Sequence, residues 1–233
     1  MHQQSFAQYG EDVRVAEFFG RGYKGVFVEV GANDPIALSQ TYLLEQLGWR
    51  GVLVEPLPQL ARALRENRPA SIVVEAAVSA PDQVGMAYME LPDNDPALAR
   101  LVFENNAQKS LPSVPVRALD SILDEAGLTS VDFLSIDIEG NELPALQGLS
   151  LGRFRPALII IEDHVHDLSR HRFLRGKGYR LVDRTGCNGW YLRRDLAWTL
   201  RSQSSFLSRL RKYYLALPYR MVRHRLWRHG RKH

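Results

Sequence analysis

Several acid residues in this sequence stand directly after short apolar runs. Asp137 and Glu139 close the run DFLSIDIEG from Asp132 to Gly140, and Glu162, Asp163 and His164 follow Ile159, Ile160 and Ile161. Glu29 and Asp34 flank Gly31 in VFVEVGAND from Val26 to Asp34, and the run VLVEP from Val52 to Pro56 holds Glu55. Carboxylates and an imidazole can take up a proton from a reacting group. His164 has the unperturbed pKa nearest neutrality, whereas Asp137 or Glu139 needs burial to tune it upward. The same groups would also suit a hard divalent cation. Their spacing is not diagnostic of a metal motif, so Asp137, Glu139 and His164 are expected to serve a proton transfer, with a metal as the less favoured alternative.

These groups act together only if the elements carrying them converge. Near-continuous runs of Val, Ile, Leu and Phe are the mark of parallel strands buried on both faces, and a carboxylate just past such a run lies at the carboxyl edge of the sheet, where open α/β sheets bind ligands. Apolar runs near 26–30, 51–55, 72–77, 132–137, 157–161, 179–183 and 188–193 predict seven strands. Segments of helical period at about 10–19, 40–47, 57–67, 119–126, 142–147 and 167–175 alternate with them. Only Arg184 to Cys187 separate the last two strands, too few for a helical crossover, so they are expected to form an antiparallel hairpin. The segment from Pro92 to Pro115 breaks the rhythm and reads as a long irregular loop over the substrate.

The first strand end has one glycine, Gly31, and no other until Gly48. Binding a pyrophosphate calls for several glycines at a helix start, so a dinucleotide is disfavoured. Acidic surroundings without a phosphate cradle suit a cation. Glu55, 24 residues beyond Gly31, stands where such folds place the acid that accepts from ribose hydroxyls. A ribose-bearing cation without phosphates describes S-adenosylmethionine. Glu29, Gly31, Ala32, Asn33 and Asp34 are expected near its methionine portion, Glu55 on the ribose, and Ala77 with Val78 beside the adenine. For any one of these acids alone, capping a helix is the ordinary alternative role.

The series Gln8-Tyr9-Gly10-Glu11-Asp12, VEVGAND, Ser39-Gln40-Thr41, GWRGVLVEP, AAVS, LDSIL and DFLSIDIEGNE resembles the FkbM family of S-adenosylmethionine-dependent methyltransferases across roughly residues 5 to 193. The resemblance implies a Rossmann-like methyltransferase sheet and, commonly, O-methylation of hydroxyls on sugars or polyketide-type products. It also implies that Gln8 and Glu11 close over the amino-acid end of the cofactor. Ala7 departs from the Ser, and Ser135 from the Lys, that many members carry at those places. The expected activity is O-methyl transfer to a sugar hydroxyl of a glycan or glycolipid. The rival reading is a catalytically idle methyltransferase-like domain that uses its tail as an adaptor.

Residues 1 to 194 hold 20 Lys and Arg against 25 Asp and Glu, whereas residues 195 to 233 hold 10 against Asp195 alone. An acidic domain followed by a basic tail argues against a nucleic-acid enzyme, whose phosphate contacts belong on the catalytic face. Phe206, Leu207, Leu210, Tyr213, Tyr214 and Leu217 recur at helical spacing among arginines, a pattern suited either to an anionic membrane surface, with residues 204–233 as the contact, or to a helix packed on the domain and followed by a disordered end. The single Cys187 excludes an intrachain disulfide and reads as an ordinary core or strand residue. With no apolar leader and no run long enough to span a bilayer, the expected location is the cytoplasm, peripheral to the inner face of the membrane. The oligomeric state is not legible.

Overall fold

The computed structural model describes residues 4–92, 98–103, 111–165, 167–215 and 221. Seven strands form the main sheet: β1 (Val26–Val30), β2 (Arg50–Val54), β3 (Ile72–Val74), β8 (Phe133–Ile136), β9 (Leu158–Glu162), β10 (Tyr179–Thr185) and β11 (Asn188–Arg193). Their order is β10-β11-β9-β8-β1-β2-β3. β11 runs antiparallel to both β9 and β10, and the pairs from β9 through to β3 are parallel. From β1 the chain proceeds to β2 on one side and later returns to β8 on the other. The carboxyl ends of β1 and β8 therefore mark the topological switch point, where such sheets open a crevice.

Period-two alternation along each strand builds a core on both faces. Val28, Val30, Val52, Val54, Leu134, Ile136, Ile159 and Ile161 pack against Leu119, Ile122 and Leu123 of α4 (Leu119–Glu125), Ala145 and Leu146 of α5 (Glu142–Gln147), and Leu174 of α7 (Ser169–Gly176). Phe27, Leu53, Phe133, Leu158, Ile160 and Trp190 face the other way, onto Val15 and Ala16 of α1 (Glu11–Phe19), Leu44 of α2 (Tyr42–Gln46) and Leu64 of α3 (Pro58–Asn67). Fully burying one such aliphatic side chain contributes roughly 1.5–3 kcal/mol, and this accounts for the absence of polar residues from most of these positions.

Glu29 is a buried acid on the second face. It is 5% exposed and accepts from Ser39 Oγ, Gln40 N and Thr41 Oγ1. Arg68, fully buried, donates to Ser39 Oγ, Thr41 Oγ1 and Glu45 Oε2, so the isolated charges become one network. Burial lifts the Glu29 carboxyl above its ordinary pKa, and the Arg68 charge with these hydrogen bonds opposes the shift.

Two sequence expectations are corrected. The run read as one strand over 72–77 divides into β3 and β4 (Ala77–Val78), which belong to different sheets. The segment from Pro92 to Pro115 is not wholly irregular: β6 (Arg100–Val102) and the start of β7 (Ser113–Arg117) fall inside it and join β5 (Gly85–Glu90) and β4 in a second sheet of order β4-β7-β5-β6. Residues 93–97 and 104–110 lie outside the described residues.

The chain beyond β11 also packs on the domain as far as residue 215. Asp183 accepts from the backbone N–H groups of Gln203 and Ser204. Tyr213, just after α8 (Phe206–Leu210), is 1% exposed and donates to Asp163 Oδ2 at 3.0 Å. Among the described residues no helix is long and apolar enough to cross a membrane.

Candidate active site

A cleft of about 520 Å³ opens at the carboxyl ends of β1, β2, β4, β8 and β9, within the ~300–1,000 Å³ usual for small-molecule and cofactor sites. Its floor is the Gly31 turn. With φ of 80°, Gly31 leaves β1 so close to β8 that a Cβ there would stand 1.9 Å from the Asp137 carbonyl oxygen, so only glycine fits. Asn33, Leu38 and Glu139, all lining the cleft, hold left-handed backbone, and so does Val165, next after His164. Such conformations cost of order 1–3 kcal/mol in a non-glycine residue and gather at functional sites.

At one end, Glu55 is 4% exposed. Its Oε1 accepts from Leu57 N at 2.9 Å and its Oε2 from Asn33 N at 3.0 Å. Each oxygen keeps a second lone pair, so the carboxylate can accept two further donors in a fork. Burial raises its pKa, against the pull of the two N–H groups. Beside it Ala76, Ala77 and Val78 give a smooth apolar wall, continued by Met89 and Leu101 of the second sheet and by Leu98. Asn141 Nδ2 ties this wall to α5 by donating to Val78 O at 2.7 Å and to Ser79 Oγ at 3.1 Å.

At the other end Asp137, Glu139 and Glu162 bring one carboxylate oxygen each within 4.8 Å of one another. Burial, then the charges of Glu162, Glu139 and Glu142 and a hydrogen bond to Glu162, push the Asp137 carboxyl up to about 8. Burial also draws Glu162 upward, but the hydrogen bond and charge of His164, with Arg170 behind them, outweigh it and leave Glu162 below its ordinary value. His164 Nε2 lies 3.0 Å from Glu162 Oε1, and this contact raises the imidazole pKa against the opposing effect of burial. These shifts favour the proton on Asp137, the negative charge on Glu162 and the positive form of His164. These carboxylates could also hold a divalent cation in the same space.

Of the residues singled out in the sequence, Gln8, Glu29, Gly31, Ala32, Asn33, Glu55, Ala77, Val78, Asp137, Glu139 and His164 line this cleft. Glu11 and Asp34 do not. Glu11 is fully buried and anchors the amino-terminal segment, accepting from Tyr9 N, Thr185 Oγ1 and Asn188 Nδ2. Asp34 Oδ1 accepts from Ile36 N and Ala37 N and holds its own turn. The expected ligand contacts of both are corrected on that ground. Glu29 borders the cleft, yet its oxygens are engaged with residues 39–41, so its part is to position that loop.

Tyr9, Gln40, Ser135, Asn141, Glu162, Cys187 and Asn188 also line the cleft, and the sequence reading did not assign them. Ser135, in place of the family's frequent Lys, donates to Gln40 Oε1 at 3.1 Å. Cys187 is in the β10–β11 turn rather than on a strand, and burial with the Glu162 and Asp137 charges lifts its thiol to about 11. Tyr9 reaches this turn over Gly186, where an added Cβ would come within 2.3 Å of its ring. Signals for these contacts were weak: Glu162 stood in the noted acid cluster, but pairing Gln8-Tyr9 with a turn some 175 residues away requires the fold.

The Methyltransferase FkbM domain model matches residues 29–181, two thirds of the chain. The chain belongs to the FkbM methyltransferase family. Among solved structures it is similar to methyltransferase FkbM from Methylobacillus flagellatus, with 17% identity and a TM-score of 0.48 over 72% of this chain and 43% of that one. It therefore spans less than half the length of that relative. Precorrin-6y C5,15-methyltransferase from Geobacter metallireducens gives 15% identity and a TM-score of 0.45 over 78% of each chain. The N-terminal domain of human METTL16 in complex with SAH gives 16% and 0.40, over 78% of this chain and 65% of that one. No curated protein matches the chain.

Proposed function

We propose that this FkbM family member is an S-adenosylmethionine-dependent O-methyltransferase acting on a hydroxyl, that of a sugar in a glycan or glycolipid. The observation that carries this reading is the pairing, in one cleft across the switch point, of a buried forked acceptor at Glu55 with a proton-exchanging carboxyl at Asp137. The donor set suits S-adenosylmethionine. Glu55 has two free lone pairs for two ribose hydroxyls, the apolar wall at Ala77, Val78 and Met89 suits a flat base, and the acids near Gly31 favour a cationic centre. When bound, the cofactor supplies a methyl group on a sulfonium.

The chain's own part is alignment and proton transfer. Holding acceptor and donor in line contributes several kcal/mol, and a base roughly a further 10²–10⁴-fold. Ionised Asp137 accepts the hydroxyl proton, and its carboxyl near 8 is well matched to that task close to neutrality. Glu162, held by His164, keeps Asp137 basic and receives its hydrogen bond once the proton has arrived. The amide of Gln8, with the amide atoms of Gln40, Asn141 and Asn188 not already bonded within the protein, offers donors and acceptors to a polyol. The acidic mouth disfavours a phosphate-bearing acceptor, so nucleic acid is not the expected substrate.

The test is methyl-labelled S-adenosylmethionine with a panel of sugars and matched amino compounds. Label appearing as a methyl ether on a sugar supports the reading. Transfer confined to amines, or to no acceptor class at all, overturns it.

A further inference from the structure

The described surface carries a second cavity, of about 330 Å³, and its chemistry is opposite to that of the cleft. Arg175 of α7, Arg180 of β10, Arg194 just after β11 and Arg209 of α8 line it, together with the half-exposed Tyr214 ring, and no carboxylate is among its lining residues. The arginines are held in place through single edges of their guanidinium groups. Arg175 Nη1 donates to Tyr214 Oη at 3.3 Å, Arg180 Nη2 to Leu196 O at 2.9 Å, and Arg194 Nε to Tyr179 O at 3.3 Å. Each keeps further N–H groups for a ligand.

Arg209 is partly offset: its Nη1 lies 3.8 Å from Oδ1 of the fully buried Asp183 and also donates to Ser204. Asp183 is shared with Arg14 Nη2 at 2.6 Å and with Gln203 N and Ser204 N, so it neutralises Arg209 only in part. His171, at the base, is hydrogen-bonded to Tyr191 and Tyr214, and burial with the Arg175 charge holds its pKa below the usual value, so it adds no charge at neutrality.

Apolar side chains open to solvent adjoin it: Phe206 and Leu210, which line it, are 69% and 37% exposed, and on the same segment Leu207 and Leu215 are each 73% exposed. Four guanidinium groups ringed by exposed aliphatic and aromatic side chains match a surface with phosphates outside and hydrocarbon beneath. The chain after residue 215 carries six more Lys and Arg and no acid. That segment is repelled by the cavity rather than suited to fill it, and it adds to the attraction for the same anionic surface. Nucleic acid would answer the arginines but gains little from Leu207 or Leu215, which cannot stack on bases.

We infer that this arginine-lined cavity beneath α8 is a docking site for an anionic phospholipid surface, with a lipid phosphate between Arg175, Arg180, Arg194 and Arg209 and the Phe206–Leu207 rim inserted at the headgroup boundary. The inference stands independently of methyl transfer.

Co-sedimentation of the full chain with phosphatidylglycerol and with phosphatidylcholine vesicles tests it. Binding is expected to the first, weakening with salt, and not to the second. The exposed pair Arg175→Gln/Arg180→Gln should lower affinity roughly 30-fold, because each basic residue near such a surface is worth about one kcal/mol. Leu207→Asp should also lower it, whereas the equal charge change Arg50→Gln/Arg62→Gln, elsewhere on the surface, should hold it within about twofold. Equal binding to both vesicles, or an equal loss in the control pair, overturns the inference. So does a duplex oligonucleotide that binds in place of vesicles, depends on the same arginines and is indifferent to Leu207→Asp.

Discussion

Replacing Asp137 by Asn removes the carboxyl at the mouth that its surroundings raise to about 8, and it should change stability and turnover in opposite directions. The amide keeps the side chain's shape and can donate to Glu162 as the protonated acid does. In the folded chain the carboxyl titrates near 8 rather than at its ordinary 3.8. A raised carboxyl pKa means that the folded state holds the proton more tightly than the unfolded one. The resulting penalty is absent in acid, grows as pH rises between those two values and levels off above the higher. At about 1.36 kcal/mol per unit, a shift from 3.8 to about 8 amounts to roughly 5 kcal/mol of destabilisation above the higher value. At about 2–4 °C per kcal/mol for a chain of this size, that is on the order of 10–20 °C in melting temperature. Thermal melts of both proteins from pH 5 to pH 9 should show the Asn variant gaining on the parent as pH rises, with no further gain above about 8. Turnover by the parent should climb over the same range to a plateau, and the Asn variant should lose roughly 10²–10⁴-fold while cofactor affinity stays within a few-fold. Melting curves that run parallel across the whole range would refute the placement of this proton.

Three further outcomes follow from the same geometry. Arg68→Met, which leaves Glu29 and Glu45 buried without their cation, should cost about 3–5 kcal/mol in urea denaturation; an unchanged midpoint would mean that the network around residues 39–41 does not hold the site. Removal of residues 216–233 should leave melting temperature and cofactor affinity nearly unchanged, whereas removal from residue 204 should destabilise by about 2 kcal/mol or more, because Asp163 and Arg184 lose Tyr213 inside the fold; equal melts of the two truncations would contradict the packing. Turnover measured with EDTA and then with added divalent ion separates proton transfer from metal chemistry: activity that persists in EDTA fits Asp137 as base, and loss restored by the ion would turn Asp137, Glu139 and Glu162 into ligands.

The main sheet was legible because strands buried on both faces leave nothing but apolar residues between their ends, and the acids at those ends then stand out. Glu55 and Asp137 were singled out in this way, and both line the cleft. The second sheet was not, because β5 reads GMAYME and β7 reads SVPVR, short exposed alternations with a Pro115 that resembles loop chemistry. Among the acids, residue type could not separate ligand contacts from anchors. Glu11 and Glu29 differ from Glu55 only in how many protein donors reach them, three each against two, and those donors come from residues 9, 39–41, 185 and 188. Helical turns carry the tail's apolar residues as far as 215, but the burial of Tyr213 was hidden in the sequence, since its partners Asp163 and Arg184 lie in other parts of the chain.

The central claim is that the cleft at Glu55 binds S-adenosylmethionine, and calorimetric titration of the parent and of Glu55→Ala and Glu55→Gln tests it most directly. The parent should bind at a single site. Both variants, folded by the same melting criterion, should weaken binding by about 1.5–3 kcal/mol, which is roughly 10- to 100-fold, the worth of hydrogen bonds to a charged acceptor. Unchanged affinity in both variants, or no heat of binding in the parent, would contradict the account.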